Sequence, residues 1–196
     1  MVKIKLAAMD IDGTLIGKNK ILTKRTKDAL NGAAARGIHL VIASGRALQA
    51  VPGELLKIQG MEYVITSNGS SVFRLADQKR IYGRDMTPEQ IGQLITFYDA
   101  YDCPMEAFIC GVPYTSQEYF DHPERFGAGS ASSEYVRATR RPVLDMKAFV
   151  KSNASKIEGI NFIVHDMERK AVMRRRLEAF EGLYVTSSVP RYIEIS

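Results

Sequence analysis

The sequence predicts a doubly wound α/β protein carrying a second, α+β unit. Three observations lead there. Short apolar runs alternate with helical stretches through the first 66 residues, an acidic turn follows the first run directly, and the rhythm changes after Asn68-Gly69. Strands separated by helices imply parallel neighbours, because a parallel pair needs a crossover connection.

The elements follow in order. Val2 to Met9 reads as a strand, Thr23 caps a helix running to Arg36, and Gly37 stops it. His39 to Ala43 is a second strand. A helical stretch from Ala47 to Gln59 is disturbed by Pro52 and Gly53, and Tyr63 to Thr66 is a third strand. Ser71 to Leu75 and Arg80 to Gly83 pair as a hairpin around Asp77. Thr87-Pro88-Glu89-Gln90 is a capping box with proline at the first helical position, and its helix extends to about Tyr101. A second hairpin is expected over Cys110-Gly111, and residues 127–133 (GAGSASS) read as a flexible loop. Lys156 to His165, Tyr184 to Ser188 and Tyr192 to Ile195 read as strands, and Met167 to Phe180 as a helix.

Composition narrows the class. With 196 residues, 45% of them hydrophobic, and two cysteines, the chain is neither disordered, nor collagen-like, nor a disulfide-stapled module. Cys103 and Cys110 suit reduced thiols in a cytoplasmic protein. The N-terminal apolar run is cut by Asp10 and Asp12 before signal-peptide length, and no stretch approaches a membrane span. Residues 1–82 hold 13 basic and 6 acidic side chains, against 14 and 16 in the remainder. Lys18, Lys20, Lys24, Arg25 and Lys27 account for much of that excess as a solvated loop and helix face.

Asp10-Ile11-Asp12-Gly13-Thr14-Leu15 is the strongest chemical signal. Open parallel sheets bind ligands beyond the carboxyl ends of their strands, and there two carboxylates face one crevice while Gly13 permits the turn. One carboxylate can attack an electrophile; the other can handle protons or, with a divalent metal, balance charge. Ser44-Gly45-Arg46 closes the second strand with a hydroxyl suited to a phosphate oxygen. Arg46 suits either a second phosphate anchor or an ion pair with a nearby carboxylate. Asn68-Gly69 is first a turn former.

These motifs together resemble the haloacid dehalogenase superfamily, whose first motif is DxDGT(L/V). The segments around Asn68 and Tyr192-Ile193-Glu194-Ile195 are similar to its Cof-type branch, subfamily IIB. The resemblance implies a Rossmann-like core with an inserted C2-type cap: residues 1–82 and 190–196 as core, 83–189 as cap. It implies phosphoryl transfer through an aspartyl-phosphate with Mg²⁺. Asp10 would be the nucleophile and Asp12 the general acid and base, with Asp10 and the Asp12 carbonyl on the metal. Gly13, Thr14, Ser44, Gly45, Arg46 and Asn68 would line the phosphate. The substrate would be a small phosphorylated metabolite, by family precedent a sugar phosphate; a phosphosugar mutase, or a non-catalytic phosphometabolite-binding protein, is the alternative.

Family members continue past the YxEI strand with a GVxKG lysine and a GDxxND metal motif, neither of which occurs in these 196 residues. The resemblance therefore implies a C-terminally truncated core with little or no turnover alone. A cation about 4 Å from the phosphoryl group is worth roughly 4 kcal/mol at an effective dielectric near 20, about a thousandfold in rate. The incomplete core would favour self-association through an uncovered edge. Nucleic acid and membrane partners are not expected: Arg169-Lys170 and Arg174-Arg175-Arg176 are flanked by Glu168, Glu178 and Glu181 as a solvated helix face. Among cap side chains, Glu106, Tyr114, Tyr119 and His122 could read the leaving group, with none singled out.

Overall fold

A computed structural model describes residues 3–17 and 19–196. Val2 and Lys18, assigned above to the first strand and the basic loop, lie outside them. The chain divides into two compact units, Met1–Gly83 and Arg84–Ser196.

The first unit is built on a five-stranded sheet in the order β1-β2-β3-β4-β5: Leu6–Met9, His39–Ala43, Met61–Thr66, Ser71–Arg74 and Lys79–Gly83. β1, β2 and β3 run parallel, as the alternation predicts, and β4 and β5 add an antiparallel hairpin. At that hairpin Arg74 Nη2 pairs with Asp77, holding its carboxyl down at about 2. Helix α1 (Lys24–Ala35) starts where the Thr23 hydroxyl accepts the Thr26 N–H. Leu40, Val41 and Ile42 are buried in succession, as befits a strand covered on both faces. Ile42, Leu30, Leu55 and Val64 join Ile11, Leu15 and Ile16 of the acidic loop in one core, so the loop is anchored by its apolar positions.

The stretch from Ala47 to Gln59 is not one helix. It breaks into a 3-10 turn at Leu48–Ala50 and a four-residue helix α2 (Gly53–Leu56). Pro52 is the cause: its ring biases the preceding residue away from helical angles, and Val51 is extended at φ −77°, ψ 130°.

The second unit has a six-stranded sheet, ordered β10-β11-β9-β6-β7-β8. Its strands are β6 (Met105–Ile109), β7 (Val112–Ser116), β8 (Arg141–Val143), β9 (Ile157–Ile163), β10 (Val185–Thr186) and β11 (Tyr192–Ile195). The helices are α3 (Pro88–Tyr101), α4 (Gln117–Asp121), α5 (Ser130–Thr139), α6 (Met146–Ser152) and α7 (Met167–Leu177). The capping box at α3 forms in full: Thr87 Oγ1 accepts the Gln90 N–H and Gln90 Oε1 accepts the Thr87 N–H. Met105, Ala107, Ile160, Phe162, Ile193 and other residues of one sheet face form a core with α3, α6 and α7.

Two expectations are corrected here. Tyr192–Ile195 does not return to the first unit's core. It pairs antiparallel with β9 and with β10, Ile193 opposite Phe162 and Glu194 opposite Asn161, and all four residues are buried. Residues 190–196 thus belong to the second unit, because Ile193 and Ile195 complete an apolar face that β9 and β6 already present. Residues 127–133 are not all loop either. Helix α5 starts at Ser130, after Gly127 turns the chain with φ +80°, and Val136 buries its apolar side. Sequence reading also passed over α4, α6 and β8, all short.

Candidate active site

Asp10, Asp12, Gly13, Thr14, Ser44, Gly45, Arg46 and Asn68 all lie in the first unit, beyond the carboxyl ends of three parallel strands. Asp10 follows β1, Ser44 follows β2, and Ser67-Asn68-Gly69 follows β3. The acidic loop closes on itself: Gly13 N–H donates to the Ile16 carbonyl at 2.8 Å, Ile16 N–H to Ile11 at 3.0 Å and Leu15 N–H to Asp10 at 3.3 Å. Gly13 has φ +82°, a conformation that glycine adopts without strain. Burying Ile11, Leu15 and Ile16 leaves Asp10, Asp12, Gly13 and Thr14 facing outward.

Asp12 and Arg46, 34 residues apart in sequence, are joined by two parallel hydrogen bonds. Arg46 Nε donates to Asp12 Oδ2 at 2.8 Å and Nη2 to Oδ1 at 2.7 Å. Arg46 Nη1 donates to the Ala50 carbonyl at 2.9 Å, so the guanidinium is held from two sides. Its side chain is 13% exposed and that of Asp12 54%. Of the two uses open to Arg46 in the sequence, the structure thus realises the carboxylate pair. The Arg46 N–H approaches Ser44 Oγ at 3.3 Å, which uses the hydroxyl as acceptor and leaves its proton for a donor role. Ser67 N–H donates to the Arg46 carbonyl at 3.0 Å, tying the β3 end to the β2 end. Ser67 and the Ala50 carbonyl were missed in the sequence because both act through main-chain atoms, which carry no residue-type signal.

For a hard divalent cation the available donors are oxygens: the Asp10 carboxylate and the Asp12 carbonyl. Among the described residues the backbone hydrogen bonds of the loop run to the carbonyls of Asp10, Ile11 and Ile16 and leave that of Asp12 aside, which suits the oxygen preference of Mg²⁺. Both Asp12 carboxylate oxygens are taken by Arg46. Among the described residues no group of three or more His, Cys, Asp or Glu side chains could enclose a metal, so this unit offers a partial ligand set. No helix among the described residues is long and apolar enough to cross a membrane.

Comparison with known proteins agrees with this arrangement. Over 185 residues the chain is 27% identical to a Buchnera aphidicola protein named "Putative phosphatase", covering 93% of this chain and 64% of the relative. Over 139 residues it is 39% identical to Bacillus subtilis YxeH, which bears the same name, covering 67% and 46%. The fold matches a sugar phosphatase of haloacid dehalogenase subclass IIB with a TM-score of 0.75 at 18% identity, over 98% of this chain and 69% of that one. The chain therefore spans less than two thirds of the length of these curated relatives. Residues 7–196 match the haloacid dehalogenase-like hydrolase family, and the chain belongs to it.

Proposed function

We propose that this chain carries the nucleophile and proton-transfer residue of a phosphatase acting on small phosphate monoesters. The observation that carries this reading is the arrangement at the strand ends: Asp10 outward at the end of β1, and Asp12 oriented by the two-point grip of Arg46. A carboxylate held by two charge-assisted bonds loses its rotational freedom, which is what a proton-transfer group next to a reacting bond requires.

In the first half-reaction an Asp10 oxygen attacks phosphorus, the ester P–O bond breaks, and Asp12 supplies the proton that the leaving oxygen takes up. Water then attacks the phosphorus of the Asp10 acyl phosphate, giving its proton to Asp12 and releasing inorganic phosphate. Both Asp12 oxygens are engaged in the resting arrangement, so delivery of a proton requires Arg46 to release one of them. Ser44 Oγ–H and the exposed backbone around Gly13 and Thr14 would bind the phosphoryl oxygens. Mg²⁺, held by the Asp10 carboxylate and the Asp12 carbonyl, would neutralise phosphoryl charge during the approach of an anionic nucleophile.

Sugar phosphates are the substrate class this reading favours, on the strength of the named subclass IIB relative. The cytoplasm is the compartment in which such metabolites and the free thiols Cys103 and Cys110 belong together. Self-association is part of the same reading. Among the described residues β1 pairs with β2 alone, and Ile4 and Leu6 are 64% and 55% exposed beside its other edge. The sequence contains neither the family lysine motif nor GDxxND, and the polypeptide by itself is expected to turn over slowly. Trapping tests the reading. Incubation with acetyl phosphate and Mg²⁺, acid quench and peptide mass spectrometry should locate an acyl phosphate at Asp10; label elsewhere, or label that persists in Asp10→Asn, would sink it.

A further inference from the structure

The strongest backbone distortion in the first unit lies just beyond β3. Ser67, Asn68 and Gly69 have φ of +51°, +54° and +96°, three left-handed residues in a row, of which Ser67 bears the steric cost, glycine being free of it and asparagine tolerant of the region. Ser67 is 2% exposed. Its N–H is spent on Arg46, and its carbonyl accepts the Ser70 N–H at 3.1 Å, so the reversal is pinned on both sides.

The reversal lays the Asn68 side chain across the neighbouring turn. A Cβ at Gly45 would lie 2.5 Å from Asn68 Oδ1 and 3.4 Å from its Cγ. Gly45 does not itself have a left-handed φ, so what a side chain there would meet is the Asn68 carboxamide, which would have to move aside. One residue on, Arg46 holds Asp12; one residue back, Ser44 carries its hydroxyl.

We propose that Asn68 is a positioning residue. The strain at residues 67–69 is retained because it seats the carboxamide on Gly45, and this fixes the Ser44-Gly45-Arg46 turn in the form that aims the Ser44 hydroxyl and the Arg46–Asp12 pair outward together. The purpose of the device rests on the phosphatase reading; the interlock itself does not. Ser67 bears that strain, since asparagine tolerates the left-handed region; what Asn68 contributes is the seat on Gly45.

Three variants of the 196-residue chain decide this: Asn68→Gly, Gly45→Ala and the two combined. Asn68→Gly is expected to leave Tm within about 4 °C of the unsubstituted chain. It should also displace the Arg46 Nε–Hε cross-peak in a ¹⁵N correlation spectrum and weaken binding of inorganic phosphate in Mg²⁺ by roughly tenfold. Gly45→Ala should lower Tm with Asn68 present and cost little once Asn68 is glycine. The proposal is overturned if Asn68→Gly leaves the Arg46 signal in place, or if Gly45→Ala costs the same in both backgrounds. Failure of the unsubstituted chain to bind phosphate would count against the phosphatase reading instead, while the melting temperatures and the Arg46 signal would still decide the interlock.

Discussion

Replacing Glu106 by glutamine should be among the costliest single changes in the second unit. Glu106 is on β6, fully buried, and accepts from Arg140 Nε at 2.9 Å, Arg140 Nη2 at 3.2 Å and Asn161 Nδ2 at 3.3 Å. The Arg140 side chain is 6% exposed. Burial alone would depress its pKa, and the Glu106 carboxylate outweighs that, leaving the guanidinium above its usual value. Glutamine keeps the shape and removes the charge, which leaves a buried cation without its counter-ion at a cost of about 3–5 kcal/mol. With a urea slope of about 1–2 kcal/mol/M for a unit of this size, the midpoint should fall by about 1.5–5 M. Far-UV circular dichroism in urea, following the transition assigned to this unit, reads that shift. Converting the pair together, Glu106→Leu with Arg140→Met, should recover most of the loss, since a well-packed apolar pair avoids the desolvation both ions bear. If the single substitution moves the midpoint by less than about 0.5 M, or the double one is worse, the reasoning about an uncompensated charge is wrong.

Other consequences concern the first unit and the thiols. Asp10→Asn should abolish acyl-phosphate formation while leaving the far-UV spectrum unchanged, because the side chain is exposed. Arg46→Lys keeps the charge and loses the two-point grip and the Ala50 bond. Since Asp12 is more than half exposed, the expected loss is only about 1–2 kcal/mol in thermal unfolding, and a loss above 4 would mean that Arg46 carries packing unrelated to Asp12. Burial pushes the Cys103 thiol up to about 12, whereas Cys110 is exposed at a hairpin tip. Ellman's reagent at pH 8 should therefore label one thiol in the folded protein and two in urea. The buried neutral thiol contributes stability that is complete below its ordinary pKa of 9.0 and fades as pH climbs toward 12.

The sequence exposed the site more readily than the fold around the second unit. Asp10, Asp12, Ser44, Arg46 and Asn68 all follow predicted strands, and short side-chain motifs at strand ends survive any error in helix boundaries. The partner of Arg46 could not be read, because either a phosphate or a carboxylate satisfies a guanidinium. Tyr192–Ile195 was misplaced for a related reason: four buried residues at a chain end look alike in any sheet, and only the pairing of Ile193 with Phe162 tells which one. Helix α5 hid behind a run of small polar residues, where Val136 was too little apolar signal to outweigh Gly127 and Gly129. The disturbance expected at Pro52 and Gly53 is a full break.

Register explains how dispersed motifs come to share one turn. β1 and β2 pair with Met9 opposite Ile42, which places Asp10 and the end of β2 at nearly one level. Between β2 and β3 the pairing slips: Leu40 lies opposite Met61, yet Val41 lies opposite Tyr63, and Ala43 opposite Ile65. Without that slip Ala43 would face Val64, and Ser44 would leave the sheet one residue earlier relative to β3, a displacement of roughly 3.3 Å. The Ser44 N–H would then miss the Ile65 carbonyl that it reaches at 3.0 Å, and Arg46 would miss the Ser67 N–H. A single irregularity near Glu62, far from the carboxylates in sequence, thus sets Gly45 beneath Asn68 and the Arg46 carbonyl within reach of the Ser67 N–H. Deleting Glu62 should unseat Asn68 from Gly45 even though every motif residue is kept, and Gly45→Ala should then cost little in Tm.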